Sequence, residues 1–155
     1  MKIVIGHKSP DTDSACSAIV YAELLGNGYE ARVMNAVNKE TEFALQKFGA
    51  EKPEVWKGEG EAFVLVDHNE AEQSIGSYEK VEEVLDHHKL KIETNKPIKI
   101  LVEPVGSTCT IIAKNYFEKL TKKQAGLLLS GILSDTVIFN CLLYTSDAAD
   151  ELDGV

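Results

Sequence analysis

Short apolar runs that end directly on histidine and aspartate recur along this chain, and they narrow the folds open to it. Lys2–Ile5 leads into Gly6-His7, Phe63–Val66 into Asp67-His68, and Val81–Leu85 into Asp86-His87-His88. Phe63–Val66 shows no polar alternation, the mark of a strand covered on both faces. Val81–Leu85 would fit helix or strand by pattern alone. It is read as a strand because Asp86 follows it as Asp67 follows Val66. Helical spacing fills the intervals: Ala15, Ala18, Ile19, Ala22 and Leu25 recur within 13–25, and Gly26-Asn27-Gly28 then stops that helix. Strands are further expected at Ala31–Met34 and, at an edge, Ile98–Val102, with helices at Lys39–Phe48, Ser107–Leu120 and Thr121–Ser134. The last begins with a capping-box spacing, Thr121 to Gln124. Val137–Phe139 reads as strand-like. Such alternation predicts an α/β fold, a mostly parallel β-sheet with helices on both faces.

In an open parallel sheet the carboxyl ends of the strands share one edge, where ligands bind. Residues far apart in sequence can therefore converge there. All four histidines lie beside aspartates, in Gly6–Ser14 (GHKSPDTDS), Val66–Asn69 and Leu85–Lys89, and a further acid, Asp135, stands in Gly131–Thr136. Converging imidazoles and carboxylates suit a borderline-hard divalent ion such as manganese, and no thiolate is placed to favour zinc. The carboxylates suffice for two ions with one bridging, an arrangement suited to displacement at phosphorus.

Each of these residues also has an ordinary reading. Asp13 could simply cap the helix that follows it. His68 is the weakest of the four histidines and is read as a supporting residue rather than a ligand. Ser107 and Thr108 open a helix, where an N-cap is the default and phosphate binding an alternative. Lys8 and Lys89 are read as solvated, and Trp56 as a hydrophobic anchor.

Bulk properties set outer limits. With 155 residues the chain is one domain's worth, and 44% hydrophobic with 26% charged residues is ordinary for a globular protein. Nothing approaches the roughly 20 apolar residues of a membrane span, and the amino terminus lacks a signal-peptide pattern, so the cytoplasm is the expected compartment. A formal net charge of −9 disfavours broad contact with nucleic acid, whereas bound cations would still admit a small phosphate substrate. Cys16, Cys109 and Cys141 are scattered and are read as reduced, mostly buried thiols.

Asp86-His87-His88 resembles the signature of the DHH phosphoesterases. Within that superfamily GHKSPDTDS is most similar to the opening motif of the manganese-dependent (family II) inorganic pyrophosphatases. VDHNE (Val66–Glu70), EPVGST (Glu103–Thr108) and GILSDT (Gly131–Thr136) match the same pattern in order and spacing. The resemblance covers residues 1–140 and implies a Rossmann-like DHH domain that hydrolyses pyrophosphate to two orthophosphates. It implies His7 and Asp11 as ligands of a first metal, Asp13 and His87 of a second, Asp67 as the bridge and Asp135 as a further ligand. His88 would contact substrate and assist proton transfer, making His88 and Asp67 the catalytic pair. It also implies Mn2+ in the tight sites, with Co2+ as a substitute, Mg2+ accompanying the substrate, and a homodimer formed through this domain.

Members of that family are about twice this length, and a second domain supplies the Lys and Arg that grip pyrophosphate. That domain is absent from this sequence. Residues 141–155 depart from the family pattern, and the native sequence is expected to end near Asn140. The chain alone is therefore expected to bind metal and turn over poorly. Three other readings stay open: another DHH phosphoesterase acting on short oligonucleotides or cyclic dinucleotides, a non-catalytic metal- or phosphate-binding module, and an α/β domain whose acids are only caps and surface groups.

Overall fold

The computed structural model describes residues 1–26 and 28–139; the tail at 141–155, with Cys141, lies outside the described residues. Six strands run in the order β1 (Lys2–Ile5), β2 (Tyr29–Val33), β3 (Glu54–Val55), β4 (Ala62–Val66), β5 (Val81–Asp86) and β6 (Lys99–Val102). Four helices accompany them: α1 (Thr12–Leu25), α2 (Lys39–Phe48), α3 (Thr108–Tyr116) and α4 (Lys122–Asp135). The strands form one sheet in the order β3-β2-β1-β4-β5-β6, with every neighbouring pair parallel.

From β1 the chain winds outward through β2 to β3, then returns to lay β4 on the other side of β1. That reversal opens a crevice at the carboxyl ends of β1 and β4, the place where open α/β sheets take ligands. Ile5 pairs with Leu65 and Val66 with Leu85, so the residues that follow β1, β4 and β5 emerge abreast.

The two sheet faces are covered differently. Val4, Val64, Val66 and Leu85 pack with residues of all four α-helices, among them Ile19, Leu45, Ile112 and Leu128. Ile3, Ile5, Phe63, Leu65, Val81 and Val84 point the other way, against Met34, Trp56, Ile75, Tyr78, Ile92 and Ile98. Those partners belong to connecting segments, one containing a single 3-10 turn at Ala71–Gln73. Trp56 is an anchor as expected: its ring meets Phe63 edge-on at 5.7 Å, and its Nε1 donates to the Glu59 carbonyl at 2.6 Å.

Local chemistry fixes the helix ends. Asn38 caps α2 by accepting from Thr41 N, and Gly49 ends that helix with a left-handed φ of 64°. Thr121 and Gln124 form the capping box of α4. Beyond Tyr116 the expected long helix tightens into a 3-10 turn at Phe117–Lys119. β3 had no signal in the sequence: it is two residues long and both are exposed.

Val137–Phe139 is not a strand. Its φ angles are 46, 57 and 62°, and the amides of Val137 and Ile138 donate to the Ser134 and Leu133 carbonyls. The last carbonyls of α4 draw the chain back onto the helix, and those amides are lost to any sheet. Among the described residues no helix is long and apolar enough to cross a membrane.

Candidate metal centre

Two elements bring acids to the crevice from the helical side. Asp11, in extended backbone, is the N-cap of α1: its Oδ1 accepts from Ser14 N at 2.9 Å. Capping therefore falls to Asp11, which leaves Asp13 for something else. Asp13 lies in the first turn of α1, and its carboxylate reaches the start of α3, accepting from Thr108 N at 2.7 Å and Cys109 N at 2.8 Å. The first amides of α3, a ready anion site, are thus satisfied by the chain's own carboxylate rather than left for phosphate. Ser107 is the ordinary N-cap there, accepting from Thr110 N at 3.1 Å.

Two glycines let these elements close in. A Cβ at Gly6 would stand 1.8 Å from Ser14 Oγ, the hydroxyl that accepts from His7 N. A Cβ at Gly131 would stand 2.5 Å from Cys109 Sγ and 3.0 Å from Asp13 Cα, so α4 can approach α1 and α3 only with glycine there. One helical turn later α4 delivers Asp135.

Asp67 is the centre of the arrangement. It follows β4 in the left-handed region, φ 61°, a conformation aspartate tolerates better than most residues. Its amide still donates to Leu85 O at 2.9 Å, and the turn directs the carboxylate into the crevice. Asp67 Oδ2 lies 3.3 Å from His7 Nε2, which is also 3.3 Å from Asp11 Oδ2. Asp67 Oδ1 lies 3.2 Å from His87 Nε2, which is 3.4 Å from Asp135 Oδ2, and accepts from Thr108 Oγ1 at 3.2 Å. The one carboxylate therefore faces two ways. Ligand atoms of His7, Asp11 and Asp67 cluster on one side, and those of Asp13, Asp67, His87 and Asp135 on the other. Asp67, His87 and His88 make a third grouping.

The electrostatics are those of crowded acids short of positive charge. Burial first, then the charges of Asp67 and Asp135, push the Asp13 carboxyl well above the usual range. Burial also lifts Asp135, to about 6, against the pull of His87. For Asp67 burial would act the same way, but His7 and His87 outweigh it and hold this carboxyl low. Burial would pull both imidazoles down; the neighbouring carboxylates reverse this and push His7 up to about 10 and His87 to about 11.

The remaining expected residues fall around this centre. His88 Nδ1 is bound to Asp86 Oδ1 at 2.8 Å and stands farther, at 3.9 Å, from Asp67 Oδ1. His68 is buried, pairs through Nδ1 with Val66 O at 2.9 Å, and belongs to none of the ligand groupings. Lys8 donates to the Glu72 carbonyl at 2.7 Å, while Lys89 lines the cavity above the centre. That cavity, about 380 Å³, is bordered by His7, Asp11, Asp67, His88 and Asp135. Asn69 and Asp86 stand in the VDHNE and Asp86-His87-His88 motifs, but neither was given a role of its own in the sequence. Their work is visible only as hydrogen bonds, described below.

Comparison with known proteins bears on the family and the fold. The DHH family N-terminal domain matches residues 2–132. A probable manganese-dependent inorganic pyrophosphatase of Bacillus pumilus is 45% identical over 97% of this chain and 54% of its own length. The manganese-dependent inorganic pyrophosphatase of Methanocaldococcus jannaschii is 46% identical over 90% of this chain and 49% of its own. A crystal structure of a Methanococcus jannaschii protein assigned to the family II inorganic pyrophosphatases superposes with a TM-score of 0.86 at 43% identity, covering 92% of this chain and 51% of that one. An exopolyphosphatase-related protein from Bacteroides fragilis, at 21% identity and a TM-score of 0.69, shares the fold. The chain spans about half the length of the curated relatives it matches. By the match over residues 2–132, and with its signature histidines set at the edge of a parallel sheet, the chain belongs to the DHH family.

Proposed function

We propose that this chain is the metal-binding half of a manganese-dependent inorganic pyrophosphatase, which hydrolyses pyrophosphate to two orthophosphates. The observation that carries the reading is Asp67: one buried carboxylate with each oxygen turned toward a separate cluster of ligand atoms. The relatives' names point to the same metal and substrate.

The donor set fits a divalent pair. His87 Nε2 is buried and makes no hydrogen bond, although two carboxylates stand nearby. Its Nδ1 pairs with the Val105 carbonyl at 3.0 Å, which keeps a proton there, so that once the ring gives up its other proton the Nε2 lone pair faces the acids. Nitrogen and oxygen donors without thiolate suit manganese, with cobalt as a substitute. His7, Asp11 and Asp67 would hold one ion; Asp13, Asp67, His87 and Asp135 would hold the other. What the ions supply when bound is Lewis acidity, which acidifies water and neutralises charge developing on phosphate oxygens.

The chain's own groups set the stage. Asp13 ties α1 to α3, so the two ligand clusters keep their separation. Thr108 donates its hydroxyl to Asp67 Oδ1, the oxygen that also faces His87. His88, half exposed at the cavity, faces the substrate and handles a proton through Nε2. Magnesium accompanies the pyrophosphate. Lys89, the one lysine or arginine lining the cavity among the described residues, is a meagre cationic wall for such an anion, and a second domain bearing Lys and Arg completes the site. Transition-state charge stabilisation is weak without it. The family pattern runs to near Asn140 in this sequence, the cytoplasm is the compartment, and a second copy of the chain is the partner, with β6 at one edge of the sheet.

The test is phosphate release from magnesium pyrophosphate by the 155-residue chain loaded with Mn2+, beside a longer chain carrying the second domain. Slow, manganese-dependent release that the longer chain raises at least about 100-fold is the expected result. Faster cleavage of short oligonucleotides than of pyrophosphate by the longer chain would contradict it.

A further inference from the structure

Asn69 is almost fully buried, two residues beyond Asp67, and both the amide nitrogen and the oxygen of its side chain are engaged. Its Nδ2 donates to Asp86 Oδ2 at 2.6 Å and to the Lys89 carbonyl at 2.9 Å. Its Oδ1 accepts from Lys91 N at 2.5 Å, and its carbonyl accepts from Tyr78 Oη at 2.6 Å. Asp86, inaccessible to solvent, divides its carboxylate accordingly. Oδ2 takes Asn69, while Oδ1 takes His87 N at 2.8 Å, His88 N at 3.1 Å and His88 Nδ1 at 2.8 Å.

We propose that Asn69 is a positioning residue for His88, acting through Asp86: it fixes the imidazole's orientation and tautomer while pinning the Lys89–Lys91 segment at the rim of the cavity. The inference rests on the role given to His88 above. An ionised carboxylate only accepts, so the His88 nitrogen facing Asp86 must carry the proton. The neutral ring then has its lone pair on Nε2, and the ring is held at the border of the cavity. Without Asn69, Asp86 Oδ2 is a buried oxygen with no partner. The carboxylate turns to find one, and the short contact to Nδ1 goes with it. Asp67 cannot take over, because its nearer oxygen is 3.9 Å from that nitrogen. The same amide engages Lys89 and Lys91 through their backbone, so the ring and the one lysine lining the cavity among the described residues are set by a single side chain.

The test uses the full 155-residue chain, 15N-labelled and loaded with diamagnetic Mg2+. Long-range proton–nitrogen spectra are recorded, and the His88 signals are assigned by their loss in His88→Gln. The wild-type ring should show one tautomer, protonated at Nδ1. In Asn69→Ala the two nitrogen shifts should move toward each other, and Asp86→Asn should move them further. Mn2+ affinity of Asn69→Ala should fall by less than about 10-fold, since the amide bonds to no ligand side chain. Asn69→Ser serves if the alanine variant does not fold. In the longer chain, kcat for pyrophosphate should fall about 10- to 100-fold with KM little changed. Wild-type nitrogen shifts in a folded Asn69→Ala chain would overturn the proposal, as would a defect confined to KM. Failure of the wild-type longer chain to hydrolyse pyrophosphate sinks the pyrophosphatase reading instead, and the spectra still decide the role of Asn69.

Discussion

Asp67 and Asp86 stand at the carboxyl ends of neighbouring parallel strands, both essentially inaccessible to solvent, yet they live in opposite surroundings. Asp86 is saturated with donors: two backbone amides, an imidazole and the Asn69 side chain. Asp67 has a threonine hydroxyl and two imidazole nitrogens, with Asp13 and Asp135 close enough that its charge adds to burial in raising both their carboxyls. A buried carboxylate with its full set of hydrogen bonds is scaffold. One left among other acids and imidazoles that can give up their ring protons suits a cation. Residue type, burial and position on a strand do not separate the two roles; the donors do.

Four measurements sharpen or break that contrast. The largest effect belongs to Asp67→Asn, which should weaken Mn2+ binding by at least about 100-fold in equilibrium dialysis, while Asp86→Asn keeps most of the affinity. Equal losses in both variants would erase the distinction. Next, Asp86→Ala should lower stability in chelator by roughly 2–4 kcal/mol, because several buried donors lose their acceptor at once. Its urea midpoint should fall accordingly, and added Mn2+ should still raise it.

Gly131→Ala comes third. The new methyl meets Cys109 and Asp13 in a closely packed junction, so a loss of about 1–3 kcal/mol is expected, with weakened metal binding through displaced Asp13. Unchanged denaturation curves would show that α4 has room to move. The smallest effect is in protons. His7 and His87 are held charged up to about 10 and about 11 in the metal-free chain, so ion binding near pH 8 must expel a proton from each. Calorimetry in buffers of different ionisation enthalpy should detect this release. In chelator the sign reverses. The stability these raised groups contribute is complete below their unfolded value near 6.5 and is lost as pH climbs through about 10 and about 11.

Much of this was legible in the residues. Apolar runs without alternation at Phe63–Val66, and helical spacing from Ala15 to Leu25, placed strands and helices within a residue or two. Polar clusters directly after those strands put His7, Asp67 and His87 at one edge before any coordinates. What stayed hidden depends on contacts across the chain. β3 exists because two exposed residues pair with β2, with no apolar run to announce them. Val137–Phe139 has the composition of a strand, but the carbonyls at the end of α4 capture its amides first. Asp13 looked like a cap for its own helix and serves the start of another, 95 residues on. Asn69 stood within the VDHNE motif without a role of its own, since its importance lies in three partners brought close by folding.

The most direct test of the account is a Mn2+ titration of the chain followed by electron paramagnetic resonance. Two ions per chain, magnetically coupled because they share Asp67, and uncoupled or reduced to one in Asp67→Asn, is the predicted result. A single ion per chain, or two that show no coupling in the wild type and are unaffected by Asp67→Asn, would contradict it.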